Sequence, residues 1–178
     1  LGWRAKLAPL FGRAMDYDGG AYGEGVLTKL PITSSRNIPL PHSPGNEPRA
    51  ALEVTVKLES GETVSFIGTH LEHQAESSDR IDQVKEINRV FRSNKYPTIL
   101  AGDLNDTPES EPIRILRSIW SDASHRNPEA TFPSDKPAKK IDYVFFRPAD
   151  RWKVVENKVI CDVIASDHCA LFTVLKLK

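Results

Sequence analysis

Residues 49–70 read RAALEVTVKLESGETVSFIGTH, and their pattern sets the class of fold. From Leu52 onward apolar residues alternate. Leu52, Val54, Val56 and Leu58 face one way, while Glu53, Thr55 and Lys57 face the other, which is the period of a β-strand. Glu59-Ser60-Gly61-Glu62 is turn chemistry, and ETVSFIGTH follows as a second strand, so the stretch predicts a hairpin. Further out, residues 97–102 (PTILAG), 141–146 (IDYVFF) and 169–175 (CALFTVL) are short apolar runs, as expected of strands covered on both faces. Two helices interrupt them. Ile81, Val84, Ile87, Val90 and Phe91 recur at helical spacing behind Ser77 or Ser78, and residues 111–119 follow Ser110 with Pro112 in the first turn. Residues 39–48 (PLPHSPGNEP) predict an exposed loop, and residues 126–140 a second irregular stretch. Strands interspersed with few helices predict an α/β or α+β fold with helices packed on sheets.

The 178 residues suit one domain covering 1–178. A chain this long buries roughly 70% of its unfolded surface and needs no disulfides to hold a core. Cys161 and Cys169 are accordingly expected to be ordinary thiols near the core. Lys+Arg and Asp+Glu are both 24, a balance that argues against a protein coating long duplex nucleic acid but leaves room for a small phosphate site. No apolar run approaches the roughly 20 residues that span a bilayer, and the opening LGWRAKLAPL lacks the apolar core of a signal peptide. The expectation is a soluble chain without a membrane span, with the cytoplasm favoured. Because the chain starts at Leu1, a longer gene product is also expected.

The chemistry gathers where predicted strands begin or stop, the places where a rigid sheet presents polar groups to a ligand. Asp103 and Asn105 follow strand 97–102 and leave an extended chain on the same face. They suit a hard cation or an attacking water, or equally an Asx turn ending the strand. Asp142 stands in an otherwise apolar strand, where a carboxylate demands a partner; a histidine is a natural one. Asp167-His168 precedes the last strand, as a metal and proton pair or as a polar turn. His70 closes strand 63–69. It lies three residues from His73, on the opposite face of an extended chain, which argues against a simple zinc pair. Arg49 is either a solvated strand end or a phosphate contact. Thr131-Phe132 is either a substrate contact or a core plug. There is no G-x-S-x-G elbow, Walker loop or dinucleotide fingerprint.

In order and spacing, YGEGVLTKLPI (22–32), EPRAALEV (47–54), GTHLEH (68–73), LAGDLND (100–106), TF before KKIDYVFF (131–146) and ASDHCAL (165–171) resemble the endonuclease/exonuclease/phosphatase superfamily, the group of DNase I, abasic-site endonucleases and neutral sphingomyelinases. The resemblance implies a DNase I-like sandwich of two β-sheets flanked by helices, and a Mg²⁺- or Mn²⁺-dependent phosphoesterase, phosphodiesterase or nuclease. It implies that Asp103 orients or deprotonates water and that Asn105 helps place the phosphate or metal. Asp167 would bind metal, with Asp103 and Asn105 also near it. His168 would contact the scissile phosphate and exchange a proton, oriented by Asp142. His70 would stabilise the phosphate or protonate the leaving oxygen, and Arg49 would sit near the phosphate. The family's opening strands, one with an Asn and one with a metal-binding Glu, have no match here. This predicts an N-terminally truncated domain with exposed sheet edges through which copies could pair. The substrate class is a small phosphoester, a lipid head group or a nucleic-acid end. The alternative is a non-catalytic member that binds phosphate-bearing ligands or serves in an assembly.

Overall fold

A computed structural model describes residues 1–124 and 128–178; Arg126 and Asn127, the start of the second irregular stretch, lie outside the described residues. After a short helix α1 (Gly2–Ala5), strands β1 (Ala8–Tyr17) and β2 (Gly20–Thr28) form a hairpin. Then come β3 (Ile32–Leu40), β4 (Arg49–Lys57), β5 (Thr63–His70), helix α2 (Ser78–Phe91), β6 (Thr98–Asp103), helix α3 (Glu111–Arg117), β7 (Ser121–Asp122) and β8 (Asp142–Arg147). A second hairpin, β9 (Trp152–Ile160) and β10 (Ala170–Leu177), closes the chain. Strands β3 to β8 build one six-stranded sheet in the order β3-β4-β5-β6-β8-β7. It is antiparallel except between β5 and β6, which run parallel with α2 as the crossover.

The layers follow from side-chain alternation. Ala51, Ile67, Leu100, Tyr143 and Phe145 point to one side of the sheet, where they meet Val84, Ile87 and Phe91 of α2 and Ile113 and Leu116 of α3. Leu52, Val54, Val56, Val64 and Phe146 point to the other, against Val26 of β2 and Trp152 of β9. The fold is thus a mixed α/β layering of helices, sheet and hairpins, and the hairpin layer consists of two separate two-stranded sheets. Between them runs an apolar trough. Val26, Leu27 and Leu30 line it on one side, Leu175 and Leu177 on the other, and Val54, Val64, Phe66 and Ile99 form its floor. It continues past Ala101, Val144 and Leu171 and ends against Asp142 and His168. No helix among the described residues is long and apolar enough to cross a membrane.

Both faces of β4 are covered, and Glu53 is 6% exposed. Three donors hold its carboxylate: Arg36 Nε, Ser65 Oγ (2.5 Å) and Asn94 Nδ2 (2.7 Å). Cys161 and Cys169 are not free thiols but a disulfide. They face each other one step beyond the Ile160–Ala170 pair of the β9–β10 hairpin, with Cα atoms 4.2 Å apart.

Candidate active site

The sheet itself assembles the site. His70 is the last residue of β5, Asp103 the last of β6 and Asp142 the first of β8. The parallel register sets His70 opposite Asp103, and the antiparallel register sets Asp103 opposite Asp142. Three chemical groups therefore stand side by side at one end of three adjacent strands, about 5 Å apart per strand. All three occupy the alternation positions that face the hairpins, in line with Phe66, Ala101 and Val144 on the trough floor. His168, in the turn leading into β10, swings over them. Its Nδ1 lies 3.0 Å from Asp142 Oδ2, and its Nε2 3.9 Å from Asp103 Oδ2.

Backbone geometry aims the groups. Gly102, at φ +151°, precedes Asp103, and a Cβ there would stand 1.7 Å from the carbonyl oxygen of Thr69, so only glycine lets β6 approach β5 this closely. Asn105 is left-handed at φ +51°, a conformation Asn tolerates, and its N–H donates to Asp103 Oδ1 over 2.8 Å. The pair is thus an Asx turn and part of the site at once, with Oδ2 as the carboxylate oxygen turned toward His70 (3.6 Å) and His168. Thr131, fully buried, locks the loop side. Its hydroxyl accepts the N–H groups of Ile141 and Asp142, its carbonyl accepts that of Cys169 (2.7 Å), and the neighbouring Phe132 ring packs 4.8 Å from the ring of His168. Thr131-Phe132 therefore buttresses Asp142 and His168.

The hydrogen bonds fix the state of His70. Asn105 Nδ2 donates to the carbonyl of Leu71 (3.0 Å), so it is the amide nitrogen, not the oxygen, that also meets His70 Nε2 at 3.0 Å. Nε2 accepts; Nδ1 then carries the proton and donates to Tyr22 Oη at 2.8 Å. Tyr22 Oη accepts a second donor, Arg49 Nη1, at 3.2 Å. Burial, with the charges of Arg49 and His168, pulls the His70 pKa down to about 4, so this imidazole is neutral at neutral pH. His168 behaves oppositely. Burial works against its charge, but the hydrogen bond to Asp142 and the charges of Asp142, Asp103 and Asp167 outweigh it and raise its pKa. Burial lifts Asp103 to about 6, opposed by the bond from Asn105 and aided by Asp142.

Arg49 is not a solvated strand end. It is 2% exposed, bonded to Tyr22, Glu47 Oε2 (2.8 Å) and His73 Nδ1 (3.1 Å), and its buried Nε has no partner among the described residues. The structure brings His70, Asp103, Asn105, Asp142 and His168 together, with Arg49 behind Tyr22. Asp167 stands apart. It is exposed, its carbonyl accepts from Ser134 N–H (2.7 Å), and it acts on His168 as a nearby charge. Among the described residues the group able to hold a metal ion is Asp103, Asp142 and His168, with ligand atoms all within 4.8 Å of one another.

A family model for the endonuclease/exonuclease/phosphatase family matches residues 2–168. The chain belongs to this family. Solved structures share the fold of this family member. A functionally unknown conserved protein from Enterococcus faecalis is 22% identical with a TM-score of 0.84, covering 97% of this chain and 77% of its own. A mannosyl-6-phosphatase from Bacteroides thetaiotaomicron is 17% identical with a TM-score of 0.74, covering 96% and 76%. The human Nocturnin catalytic domain with bound sulfate is 18% identical with a TM-score of 0.80, covering 99% and 74%. No functionally curated protein sequence matches this chain.

Two site residues had no assigned role in the sequence. Tyr22 is the partner of His70, and Glu24, two residues on, has its carboxyl lifted to about 7 by burial, with Arg49 lowering it and Asp103 adding to the rise. Their signal was alternation. Tyr22, Glu24 and Val26 share one face of β2, and Val26 is in the core.

Proposed function

We propose that the chain hydrolyses a phosphate ester by direct attack of water, with a divalent cation at the Asp103–Asp142 end of the sheet. The observation that carries the reading is the register His70–Asp103–Asp142 with His168 folded over it. The donor set fits Mg²⁺ or Mn²⁺: two carboxylates supply hard oxygens, and Asn105, its Nδ2 spent on Leu71 and His70, has Oδ1 left for a ligand. A cation bound there would neutralise phosphate charge.

The two histidines divide the work because their environments push them apart. Asp103, its charge favoured by the Asn105 N–H and by a cation bound beside it, takes a proton from the attacking water as the oxygen–phosphorus bond forms. His168, kept charged by Asp142, gives its proton to the leaving oxygen as the ester bond breaks. His70, neutral, serves as a hydrogen-bonding wall rather than as the acid. The buried Arg49 charge behind Tyr22 favours an anion in the pocket.

A balanced net charge supports a small phosphoester, lipid head group or nucleic-acid end over long duplex, and the mannosyl-6-phosphatase neighbour puts sugar phosphates on the panel. The test is turnover of p-nitrophenyl phosphate, bis(p-nitrophenyl) phosphate, mannose 6-phosphate, nucleotides and sphingomyelin with Mg²⁺ or Mn²⁺. Metal-dependent turnover that falls about 10²–10⁴-fold in His168→Ala is expected. Full activity in that variant, or none in the parent chain, refutes the mechanism.

A further inference from the structure

We propose that the Cys161–Cys169 cystine is the positioning device for His168, so that its reduction by a dithiol turns hydrolysis down; this rests on the phosphoesterase reading. The disulfide closes the loop 162–168, which carries His168 at its end. Among the described residues, the ties from that loop to the rest of the molecule are unevenly placed. Ser134 N–H donates to the carbonyl of Asp167 and Ser134 Oγ to that of Ser166, each over 2.7 Å, and Cys169 N–H donates to Thr131. All three hold the second half.

The first half is bonded mostly to itself. Asp162 Oδ1 accepts the N–H groups of Ile164 and Ala165, while Val163 and Ile164 are 62% and 95% exposed and pack on little. The covalent link from this half to the core side is Cys161 to Cys169, a residue 2% exposed and adjacent to His168. His168 in turn is aligned by partners on other segments, Asp142 and Phe132, so small shifts of its backbone alter a bond whose geometry sets the acid.

The reducing step starts at the exposed residue, Cys161. One thiolate of the dithiol attacks its sulfur, the cystine S–S bond breaks, and Cys169 leaves as thiolate. The second thiol of the reductant then attacks the mixed disulfide and releases Cys161. The reductant departs as its own disulfide, two electrons pass to the protein, and the two protons of the dithiol end on Cys161 and Cys169. The β9–β10 ladder still closes the loop at Ile160–Ala170, but the cross-link beyond that pair is lost, and the first half of the segment regains conformational entropy. Cystines persist in oxidising surroundings, so the active form belongs to such a compartment.

The experiment compares the oxidised full chain with chain reduced by dithiothreitol and desalted without air, and with Cys161→Ser. Each is assayed with Mn²⁺ on bis(p-nitrophenyl) phosphate and by hydrogen exchange. We expect kcat to fall about tenfold in the reduced chain and in the variant, with KM changed less. Amide exchange should speed up across 162–169 but not in β4–β6, and reoxidation should restore the reduced chain but not the variant. An unchanged kcat after verified reduction overturns the proposal, as does equal slowing of reduced parent and reduced variant relative to their untreated forms. Absence of turnover in every form defeats the hydrolysis reading instead, and the exchange data then decide alone whether the cystine holds the loop.

Discussion

Asp103→Asn should make the protein more stable and inactive. In the unfolded chain this carboxyl has its ordinary value of 3.8; in the fold it titrates near 6, because burial at 17% side-chain exposure disfavours its charge. The folded state therefore holds the proton more tightly. Stability is full below 3.8, is lost as pH rises from there through about 6, and stays reduced above it. A difference of about two pH units corresponds to roughly 3 kcal/mol. Asparagine keeps an oxygen for the Asn105 N–H but loses the charge assistance of that bond, worth on the order of 1 kcal/mol. The net gain at pH 8 without metal is then about 2 kcal/mol, roughly 4–8 °C in melting temperature for a chain of this size. Urea unfolding in EDTA, followed by circular dichroism at pH 8 and again at the lowest pH where folding is reversible, measures it. The gain should shrink as pH falls toward 4. A variant equally or less stable than the parent at pH 8 would refute the claim that this carboxylate is held at a cost for catalysis.

Further outcomes follow from the same geometry. Gly102→Ala places a Cβ against Thr69 and should destabilise by more than about 3 kcal/mol or prevent soluble expression, whereas a parent-like melting curve would show that β5 and β6 do not approach so closely. Nuclear magnetic resonance of the imidazole protons should find His70 neutral down to pH 5 and His168 titrating above 6.5; the opposite order would reverse the roles given to them. The pH–rate profile of the metal-loaded chain should fall at high pH as His168 loses its proton, and a profile flat from pH 5 to 9 would exclude that assignment.

The ends of β4, β5, β6, β8 and β10 were legible because each is an apolar run bounded at one end by a polar motif. That placed His70, Asp103, Asn105, Asp142 and His168 before any pairing was known. What could not be read was adjacency. Nothing local says that β5 and β6 run parallel around α2, or that β8 enters beside β6, yet those two registers make the site. The strands that escaped notice are the exposed ones. β3 is exposed along most of its length and contains Pro39, and β9 carries charges among its apolar residues, so neither shows a clean period of two. The disulfide escaped with β9, since its two cysteines become neighbours only through that hairpin.

The most direct test of convergence is crystallographic, with crystals of the full chain soaked in Mn²⁺ and inorganic phosphate. The account predicts an anomalous Mn²⁺ peak within coordinating distance of carboxylate oxygens of both Asp103 and Asp142, with a phosphate oxygen near His168. Mn²⁺ absent from that end of the sheet, with phosphate bound away from His168, would contradict it.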